Sequence, residues 1–339
     1  MRRTTLLGTA LSLCAAVAAS GCSVFDPPAD IQVYSARHYD VEDAFKEFEE
    51  QTGKSVEFIF DEDAALLERI KAEGDDSPAD VYMTVDAGNL WNAADQGVLE
   101  AIDSPALDDA VPAEYRDPEN RWFGLAVRAR TVLYNPNAVD PAEFDAEDTY
   151  GGLADPKWSG RLCMRDSQEA YTQSLVASLI ALHGEEGARD IVQGWLDNDV
   201  QIMSNDILLI EAVDAGTCDV AIVNHYYVAR ELDEKPDLNV KLFWASQEGE
   251  GTHVNISGAG VVATSDNKAD AQELIEWLAT DGQHDFIGGN HEYPVNPSVE
   301  PDELVASFGE FTPMTLDAQA YGENNAAAVA LLADLGYDG

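Results

Sequence analysis

The sequence predicts an α/β fold with two lobes. Short apolar runs alternate with segments of helical periodicity along the chain, which is typical of parallel sheets built from βαβ units. Two longer extended runs, 122–134 and 255–263, interrupt this alternation. We expect them to cross between the lobes, so that the molecule forms a hinged clamp that closes on a ligand.

The predicted elements fall into two groups, each long enough to bury a core, because the chain has 339 residues and 45% hydrophobic content. In the first group we expect strands at 31–34, 56–60 and 80–84 and helices at 40–51, 64–72 and 87–96. Later we expect strands at 162–164, 201–203 and 220–223 and helices at 171–182, 187–197, 206–215, 269–280, 283–287 and 326–335. The predicted lobes are 31–126 with 264–310, and 127–263 with 311–339.

The first residues are expected to direct export. Residues 1–21 join Arg2 and Arg3 to an apolar stretch that is too short to span a membrane, as in a signal peptide. The sequence Ala-Ser-Gly-Cys at 19–22 resembles a lipobox, which predicts lipid attachment to Cys22 and a lipidated tether over residues 22–30. The alternative is a plain secretory signal. Either way we expect the protein in the periplasm or on the outer face of the cytoplasmic membrane.

Acidic residues greatly outnumber basic ones. Asp and Glu total 64 against 19 Lys and Arg, so the formal net charge is −45. This balance excludes nucleic acid as an expected partner, because so large a negative net charge is hardly compatible with the basic patch that nucleic-acid binding requires. The acids are spread along the whole chain, which favours a halophilic, hydrated surface over attraction of a cationic ligand.

Two cysteines remain when the signal and the lipid site are set aside. Cys163 and Cys218 each lie in or beside a predicted strand of the same lobe. Outside the cytoplasm a disulfide between them is permitted, and two small buried thiols are an equal alternative. Their spacing matches no metal-binding motif.

Adjacent phenols follow the strand predicted at 220–223. Tyr226 and Tyr227 come one histidine after the apolar run, at the carboxyl end of a strand, where open α/β sheets bind ligands. We expect a turn there that brings both rings into the open. Deprotonated phenols prefer a hard cation such as Fe³⁺. Taken alone, the pair is also compatible with a cleft wall or a sugar-stacking platform.

Three segments together resemble one family. They are Ser-Ala-Arg-His-Tyr at 35–39, Tyr171 after Arg-Asp-Ser-Gln-Glu-Ala at 165–170, and Asn-His-Tyr-Tyr-Val-Ala-Arg at 224–230. From about residue 31 onwards the chain is similar to the ferric-iron substrate-binding proteins of ABC importers, in the tyrosine-rich, transferrin-like group that includes the cyanobacterial ferric-binding proteins. The resemblance implies a periplasmic-binding-protein-like fold of type II and an iron shell of His38, Tyr39, Tyr171, Tyr226 and Tyr227.

The resemblance also implies a function. It is extracytoplasmic capture of ferric iron, lobe closure, and delivery to an ABC permease with its ATPase. We expect a monomer that is not an enzyme, since the sequence has no Gly-x-Ser-x-Gly, His-Glu-x-x-His or Cys-x-x-Cys pattern. Ferrous iron stays open as the ligand. The alternative is a binding protein of the same fold for a polyamine, thiamine or an oxyanion.

The iron shell implied by the resemblance requires a neighbouring cation. Four phenolates on Fe³⁺ would leave one excess negative charge in a partly buried cleft. Arg128 and Arg130 are two residues apart in the first crossing and share a face of that strand. We assign Arg130, with Arg128 and Arg37 as further candidates, to charge balance or to holding a small anion such as carbonate. The alternative is that Arg128 and Arg130 pair with surface acids.

Overall fold

A computed structural model describes residues 29–37, 42–168, 170–317 and 319–338, without the side chains of residues 42 and 43. The predicted signal peptide, Cys22 and most of the predicted tether lie outside these ranges. So do His38 and Tyr39, and the predictions made for all of them stay predictions. Across the described ranges, no helix combines the length and the apolar character that crossing a membrane requires.

The described residues alternate between strands and helices. The strands are β1 (Ile31–Ser35), β2 (Val56–Phe60), β3 (Val81–Thr84), β4 (Phe123–Tyr134), β5 (Leu162–Arg165), β6 (Gln201–Met203), β7 (Val220–Asn224), β8 (Lys241–Phe243), β9 (Val254–Val261) and β10 (Tyr293–Pro294). The helices are α1 (Glu42–Thr52), α2 (Asp63–Glu73), α3 (Ala87–Asp95), α4 (Pro105–Ala110), α5 (Thr149–Gly152), α6 (Ala170–Asp197), α7 (Asp206–Asp214), α8 (His225–Glu234), α9 (Lys268–Ala279), α10 (Gln283–Gly288), α11 (Glu303–Ser307) and α12 (Gln319–Leu335). The predicted alternation is confirmed.

The strands form one mixed sheet whose order is β2-β1-β3-β9-β4-β7-β5-β6, with β8 and β10 also paired to β4. Pairing is parallel at both ends, where β1 lies between β2 and β3 and β5 lies between β6 and β7. The βαβ prediction is therefore confirmed for each end. In the middle, the two predicted crossings are β4 and β9, which pair antiparallel to each other and to their other neighbours.

Separate hydrophobic cores define the two lobes. The first core packs β1, β3, β9 and the start of β4 against α1 to α4, α9 and α10, and we call these elements the first lobe. The second lobe has a core on each face of its sheet, and successive residues Val132 and Leu133 of β4 enter different ones. Along β4 the packing changes lobe between Ala129 and Val132. The residue boundaries of the predicted division stay a prediction.

Helix α12 is longer than its predicted span of 326–335, and it contacts both lobes. Its early residue Tyr321 belongs to the first core, whereas Leu331 and Leu332 belong to the second lobe. Gly322 lies against the Trp91 ring of α3, where an added Cβ would come within 2.7 Å of a ring carbon. A glycine and several polar residues in the first turns give little helical signal, which is why the sequence underestimates this helix.

Helix α6 contains the two helices predicted at 171–182 and 187–197. The helical geometry is interrupted at Gly184, which has φ 72° and ψ 168°. This left-handed backbone is accessible to glycine at little cost. The break therefore falls where the sequence predicts the junction, and the prediction of two helical pieces is confirmed.

The two crossings are also joined through Tyr150 of α5. Its hydroxyl donates to the carbonyl oxygen of Arg130 at 2.6 Å and accepts from the backbone N–H of His253 at 3.0 Å. The N–H of Arg130 in turn donates to the carbonyl of His253 at 2.9 Å. These bonds hold β4 to the residue that precedes β9. They tie the crossing strands to each other at the junction of the lobes.

Cys163 and Cys218 are joined by a disulfide that closes a loop of 55 residues, with their Cα atoms 5.9 Å apart. It joins β5 to the residue just before Asp219 and β7, inside the second lobe. The disulfide alternative of the sequence is therefore the one found. Because the bridge restricts the unfolded chain, its main effect is on the stability of this lobe.

We expect the Cys163→Ala/Cys218→Ala variant to lose about 4 kcal/mol in free energy of unfolding, since a loop of this length restricts the unfolded chain by that amount. Urea unfolding followed by circular dichroism measures it. Wild-type protein under reducing conditions is the control and should unfold at a similarly lowered urea concentration. An oxidised wild type no more stable than the double variant would contradict the prediction.

His253 gives a pH dependence whose sign follows from its burial. Burial, with the nearby charges of Arg130 and Arg128, lowers the pKa of His253 to about 3, whereas a histidine in the unfolded chain has a pKa of about 6.5. Between these values the unfolded state binds a proton that the folded state does not, so stability is lost as pH falls from about 6.5 towards 3. Asp63, whose pKa burial raises to about 7, acts in the opposite direction.

The His253→Gln variant isolates this effect, because Asp63 is common to both proteins. Between pH 7.5 and pH 4.5 we expect the free energy of unfolding of the wild type to fall by about 2 to 3 kcal/mol more than that of the variant. Denaturant unfolding at both pH values measures the difference. Parallel pH profiles of the two proteins would show that His253 is not the titrating group.

Candidate functional site

A cavity of about 400 Å³ lies between the lobes. Its walls come from segments that follow the parallel strands of each lobe, as expected for α/β sheets. On the first lobe these segments follow β1, β2 and β3, and on the second they follow β5 and β7. The lining residues are Ala36, Phe60, Asp61, Glu62, Asp63 and Val85 on one side and Arg165, Ala170, Tyr171 and Tyr227 on the other.

Three of the five predicted iron ligands are brought together at this cavity. The hydroxyl of Tyr226 lies 3.3 Å from that of Tyr171, and the rings of Tyr226 and Tyr227 have centroids 4.4 Å apart. Tyr226 is buried, while Tyr171 and Tyr227 are half-buried. His38 and Tyr39 lie outside the described residues, two and three positions beyond Ala36 of the cavity wall. Their participation stays a prediction.

The tyrosine pair differs in one respect from the expectation. Helix α8 begins at His225, directly after Asn224 ends β7, so both tyrosines occupy a first helical turn and no open turn exposes them. Successive helical residues point about 100° apart, and this separates their surroundings. Tyr226 is directed inwards and is only 1% exposed, while Tyr227 lines the cavity. The expectation that both rings are in the open is therefore wrong for Tyr226.

His225 fixes the start of α8 against the first crossing. Its Nδ1 accepts from the N–H of Ala129 at 3.1 Å, and its Nε2 donates to the carbonyl of His291 at 3.1 Å. Burial lowers the pKa of His225 to about 3, so the ring is neutral at physiological pH. Both ring nitrogens are occupied, so His225 positions the neighbouring tyrosines and is not a metal ligand in this arrangement.

Arg130 is buried beside the tyrosine pair. Its Nη1 donates to Oδ1 of Asp206 at 3.1 Å and to the side-chain oxygen of Asn224 at 3.3 Å. Asp206 is fully buried at the start of α7. The sequence alternative of a surface acid is therefore wrong for Arg130. Nδ2 of Asn224 in turn donates to the hydroxyl of Tyr226 at 3.5 Å, so Arg130 is linked to this tyrosine through one side chain.

Arg128 and Arg37 share a second buried carboxylate, Glu292. Nη1 of Arg37 bonds one carboxylate oxygen, and Nε of Arg128 lies 3.8 Å from the other. Arg37 also donates to the carbonyl of Phe286 at 3.0 Å. A surface partner is thus also wrong for Arg128. The guanidinium of Arg128 lies 5.4 Å from the ring centre of Tyr171, a predicted ligand.

Arg165 is a member of the site that the sequence analysis missed. Its Nη1 donates to Oδ2 of Asp206 at 2.7 Å, and its guanidinium lies 4.9 Å from the ring centre of Tyr171. It also lines the cavity. In the sequence, Arg165 directly follows the strand predicted at 162–164 and opens the segment quoted before Tyr171, but its contact with Asp206 is visible only in the structure. Tyr171 thus lies against two guanidiniums, those of Arg128 and Arg165.

Four arginines and two carboxylates form a buried network. In the described part of the chain its members are Arg37, Arg128, Arg130, Arg165, Asp206 and Glu292, and each carboxylate lies between two arginines. Positive charge in a poorly hydrated site favours the anionic form of neighbouring acids. The network therefore prepares the site for phenolates or for a bound anion.

The opposite wall of the cavity is acidic. Asp61, Glu62 and Asp63 follow β2, and burial raises the pKa of Asp63 to about 7. Nevertheless, no cluster of three or more His, Cys, Asp or Glu side chains able to hold a metal occurs among the residues for which positions are given.

Asp206 is the counter-ion whose removal should lower the free energy of unfolding most. We expect Asp206→Asn to lower the free energy of unfolding of the iron-free protein by about 3 to 5 kcal/mol, because it leaves Arg130 and Arg165 buried without their carboxylate. Denaturant unfolding measures the change. Asp219→Asn is the matched control, since Asp219 pairs with Arg161 at 2.6 Å on the half-exposed surface and should cost below about 1 kcal/mol. Equal losses would contradict a special role for the buried network.

Comparison with known proteins assigns the chain to a family. The family model described as bacterial extracellular solute-binding protein matches residues 76–307. Iron uptake protein A1 of Synechocystis sp. is 40% identical over 317 residues, which cover 91% of this chain and 87% of that protein. The major ferric iron-binding protein of Neisseria meningitidis serogroup B is 30% identical and covers 80% of this chain and 82% of its own length.

Solved structures agree with the sequence relatives. The Trichodesmium protein IdiA (FutA), in complex with iron and citrate ligands, superposes with a TM-score of 0.85 at 41% identity, covering 91% of this chain and 99% of that chain. Ferric iron-binding protein A of Mannheimia haemolytica, in an open conformation, has a TM-score of 0.83 at 34% identity and covers 91% and 99%. With its two α/β lobes and two crossing strands, this chain belongs to the bacterial extracellular solute-binding protein family and has the periplasmic-binding-protein-like fold.

Proposed function

We propose that this protein captures ferric iron in the cavity between its lobes, outside the cytoplasm, and delivers it to an ABC permease with its ATPase. The observation that carries the proposal is the clustering of Tyr171, Tyr226 and Tyr227, of which Tyr171 and Tyr227 line the cavity, beside buried arginines. The iron-binding relatives support it, since they cover most of the chain.

The proposed chemistry is that of phenolate oxygen on a hard trivalent cation. A free phenol has a pKa of about 10, so iron binding must displace the phenol protons. A trivalent ion beside two guanidiniums favours this deprotonation. Tyr171, Tyr226 and Tyr227 would supply three phenolates from the second lobe. Tyr39 would supply a fourth, with His38 as a neutral fifth ligand, both from the segment after β1.

Lobe closure follows from the division of the ligands. A ligand stabilises the closed form only if it interacts more favourably with that form than with the open one. Three tyrosines on one lobe and the predicted His38 and Tyr39 on the other provide this difference. The liganded, closed protein would then be the form that the permease receives.

A small anion is proposed to complete the site. Of the four arginines in the network, Arg165 is the one among the residues that line the described cavity, and it also bonds the buried Asp206. We therefore assign the anion contact to Arg165 and retain Arg130 and Arg128 for charge balance. Carbonate fits the size and charge of such a partner, and a carboxylate like that of the citrate in the Trichodesmium complex has the same chemistry.

The alternative ligands fit the cavity less well. A polyamine would find the acids of the first-lobe wall, Asp61 to Asp63, but it would face the guanidinium of Arg165 across the cavity. An oxyanion would bind the guanidinium of Arg165, but it would give the three clustered phenols no role in binding. Thiamine is favoured by no contact in the described cavity. Ferrous iron would use the same phenols, and metal titration under reducing and oxidising conditions distinguishes the two oxidation states.

The membrane attachment and the surface are further proposals. Lipidation of Cys22 would tether the protein beside its permease, and the extracellular solute-binding family is consistent with export. The net charge of −45 would give the monomer a strongly hydrated, halophilic surface. Mass spectrometry of the membrane-extracted protein tests the first point through the lipid mass on the peptide that begins at Cys22.

Ferric iron should colour the purified protein, because phenolate-to-iron charge transfer absorbs visible light. With ferric citrate as the iron source, we expect a red-to-orange band that is lost in Tyr226→Phe/Tyr227→Phe. The single variant Tyr226→Phe should bind iron at least about 100-fold more weakly, since loss of a ligand should cost no less than loss of an outer-shell partner. Citrate competition followed by absorbance gives the affinity.

Tyr134→Phe is the matched control for these variants. Tyr134 is buried in the second lobe with its ring against Phe144, and its replacement should leave both colour and affinity unchanged. A colourless wild type whose melting temperature does not change with Fe³⁺ would refute the proposed function.

A further inference from the structure

The loop between β5 and α6 places two parts of the site at once. It begins with Arg165, which lines the cavity, and it ends at Tyr171, the first-turn residue that bonds Tyr226. The segment is anchored by Gln173, whose side-chain amide donates to the carbonyl of Ser167 at 2.9 Å. Any movement of this loop would shift a predicted ligand and its neighbouring guanidinium together.

The residues that follow α12 bind this loop from outside. The hydroxyl of the buried Tyr337 donates to the carbonyl of Arg165 at 3.2 Å. The carboxylate of Asp338 accepts from the N–H of Ser167 at 2.8 Å through one oxygen and from the Ser167 hydroxyl through the other. Gly336, with φ 63°, ends the helix and lets the chain turn towards the loop.

The same helix is fixed on the first lobe at its other end. Tyr321 is buried in the first core, and Gly322 lies against the Trp91 ring in a space that admits no side chain. Gly88 of α3 adds to this close approach, since a Cβ there would lie 3.4 Å from the Cα of Gly322. Helix α12 is therefore a rigid link of 17 residues between the first lobe and the loop that precedes Tyr171.

We propose that Tyr337 and Asp338 are positioning residues for iron binding, which hold the loop from Arg165 to Tyr171 in its binding geometry and couple it through α12 to the first lobe. This role rests on the proposed function. Neither residue contacts the cavity, so each acts through Arg165 and Ser167. The geometry of Tyr171 then depends on where α12 lies, and thus on the relation between the lobes.

The size of hydrogen-bond energies distinguishes this positioning role from a contribution to the global stability of the protein. A hydrogen bond contributes about 0.5 to 1.5 kcal/mol to stability, and Asp338 is exposed, where its contribution is at the low end. Removing these bonds should therefore have little effect on global unfolding. It should release the loop locally, because Arg165 and Ser167 lose backbone partners that hold the segment from one side.

The test compares Tyr337→Phe/Asp338→Ala with a matched pair elsewhere in the full chain. Asp30 accepts from the N–H and the hydroxyl of Ser55, both at 2.9 Å, and Tyr34 is a buried tyrosine whose hydroxyl donates to Glu73. Tyr34→Phe/Asp30→Ala thus removes the same chemistry from the first lobe, away from the cavity. Each single variant is measured as well, so that a poorly folding double variant does not prevent the comparison.

Ferric iron, supplied as ferric citrate, is the probe, and three quantities are measured. We expect the Tyr337→Phe/Asp338→Ala variant to bind Fe³⁺ about tenfold more weakly than the wild type, with a shifted charge-transfer band, because the Tyr171 phenolate is misplaced. Hydrogen exchange of the 165–173 segment should be faster in the iron-free variant. Global denaturant unfolding should match that of the Tyr34→Phe/Asp30→Ala control.

The outcomes distinguish this inference from the function on which it rests. A coloured wild type, with the same affinity and band position in the Tyr337→Phe/Asp338→Ala variant as in the control, overturns the positioning role and leaves the proposed function standing. A colourless wild type overturns both. An affinity loss without a band shift, and with unchanged exchange at 165–173, also overturns it, because the loop would then not be the part affected.

Discussion

The cleft depends on burying arginines in pairs around a shared carboxylate. Asp206 lies between Arg130 of the first crossing and Arg165 at the end of β5, and Glu292 lies between Arg128 and Arg37. Each carboxylate joins segments that are distant in sequence. Arg128 and Arg165 each bring a guanidinium against the ring of Tyr171, in a region with little water to screen their charge. Positive charge at this position stabilises a neighbouring phenolate.

The crossing strands and α12 connect the buried arginines to the hinge between the lobes. β4 carries Arg128 and Arg130 on its way from one core to the other, and it is held to the second crossing through Tyr150. Helix α12 links the lobes along a separate path. A change in the angle between the lobes must therefore act on the same strand that supports the arginines. The site and the hinge share residues, which is a direct physical route for coupling binding to closure.

Much of this fold follows from local sequence patterns. The apolar runs of β1, β3, β5 and β7 are buried on both faces, and the helices between the strands have a clear periodicity, so their positions were predictable to within a few residues. The start of α8 and the length of α12 were not predictable in this way. His225 follows β7 directly, and neither a proline nor a glycine marks the junction, so the helical start at the tyrosine pair gave no signal.

The site was predictable as a set of residue types and less so as a network. Tyr226 and Tyr227 stood out because adjacent phenols are poor core material, whereas Tyr171 was indicated only by the family resemblance. The carboxylates Asp206 and Glu292 did not, because among 64 acidic residues nothing in the sequence distinguishes two that are buried. Arg165 was overlooked for a related reason, since its importance comes from contact with Asp206 and the ring of Tyr171, and those contacts join segments that are far apart or on separate turns.

The guanidiniums beside Tyr171 bear on the charge that a bound metal would bring. Arg128 and Arg165 both lie against the ring of this tyrosine, and each also faces a buried carboxylate. Four phenolates would give Fe³⁺ a shell with one negative charge and Fe²⁺ a shell with two, and burying such charge without a counter-charge is costly. The same guanidiniums favour the phenolate form of a neighbouring phenol. The positive charge that makes deprotonation of the tyrosines easier is therefore also the charge that would offset the metal shell they form.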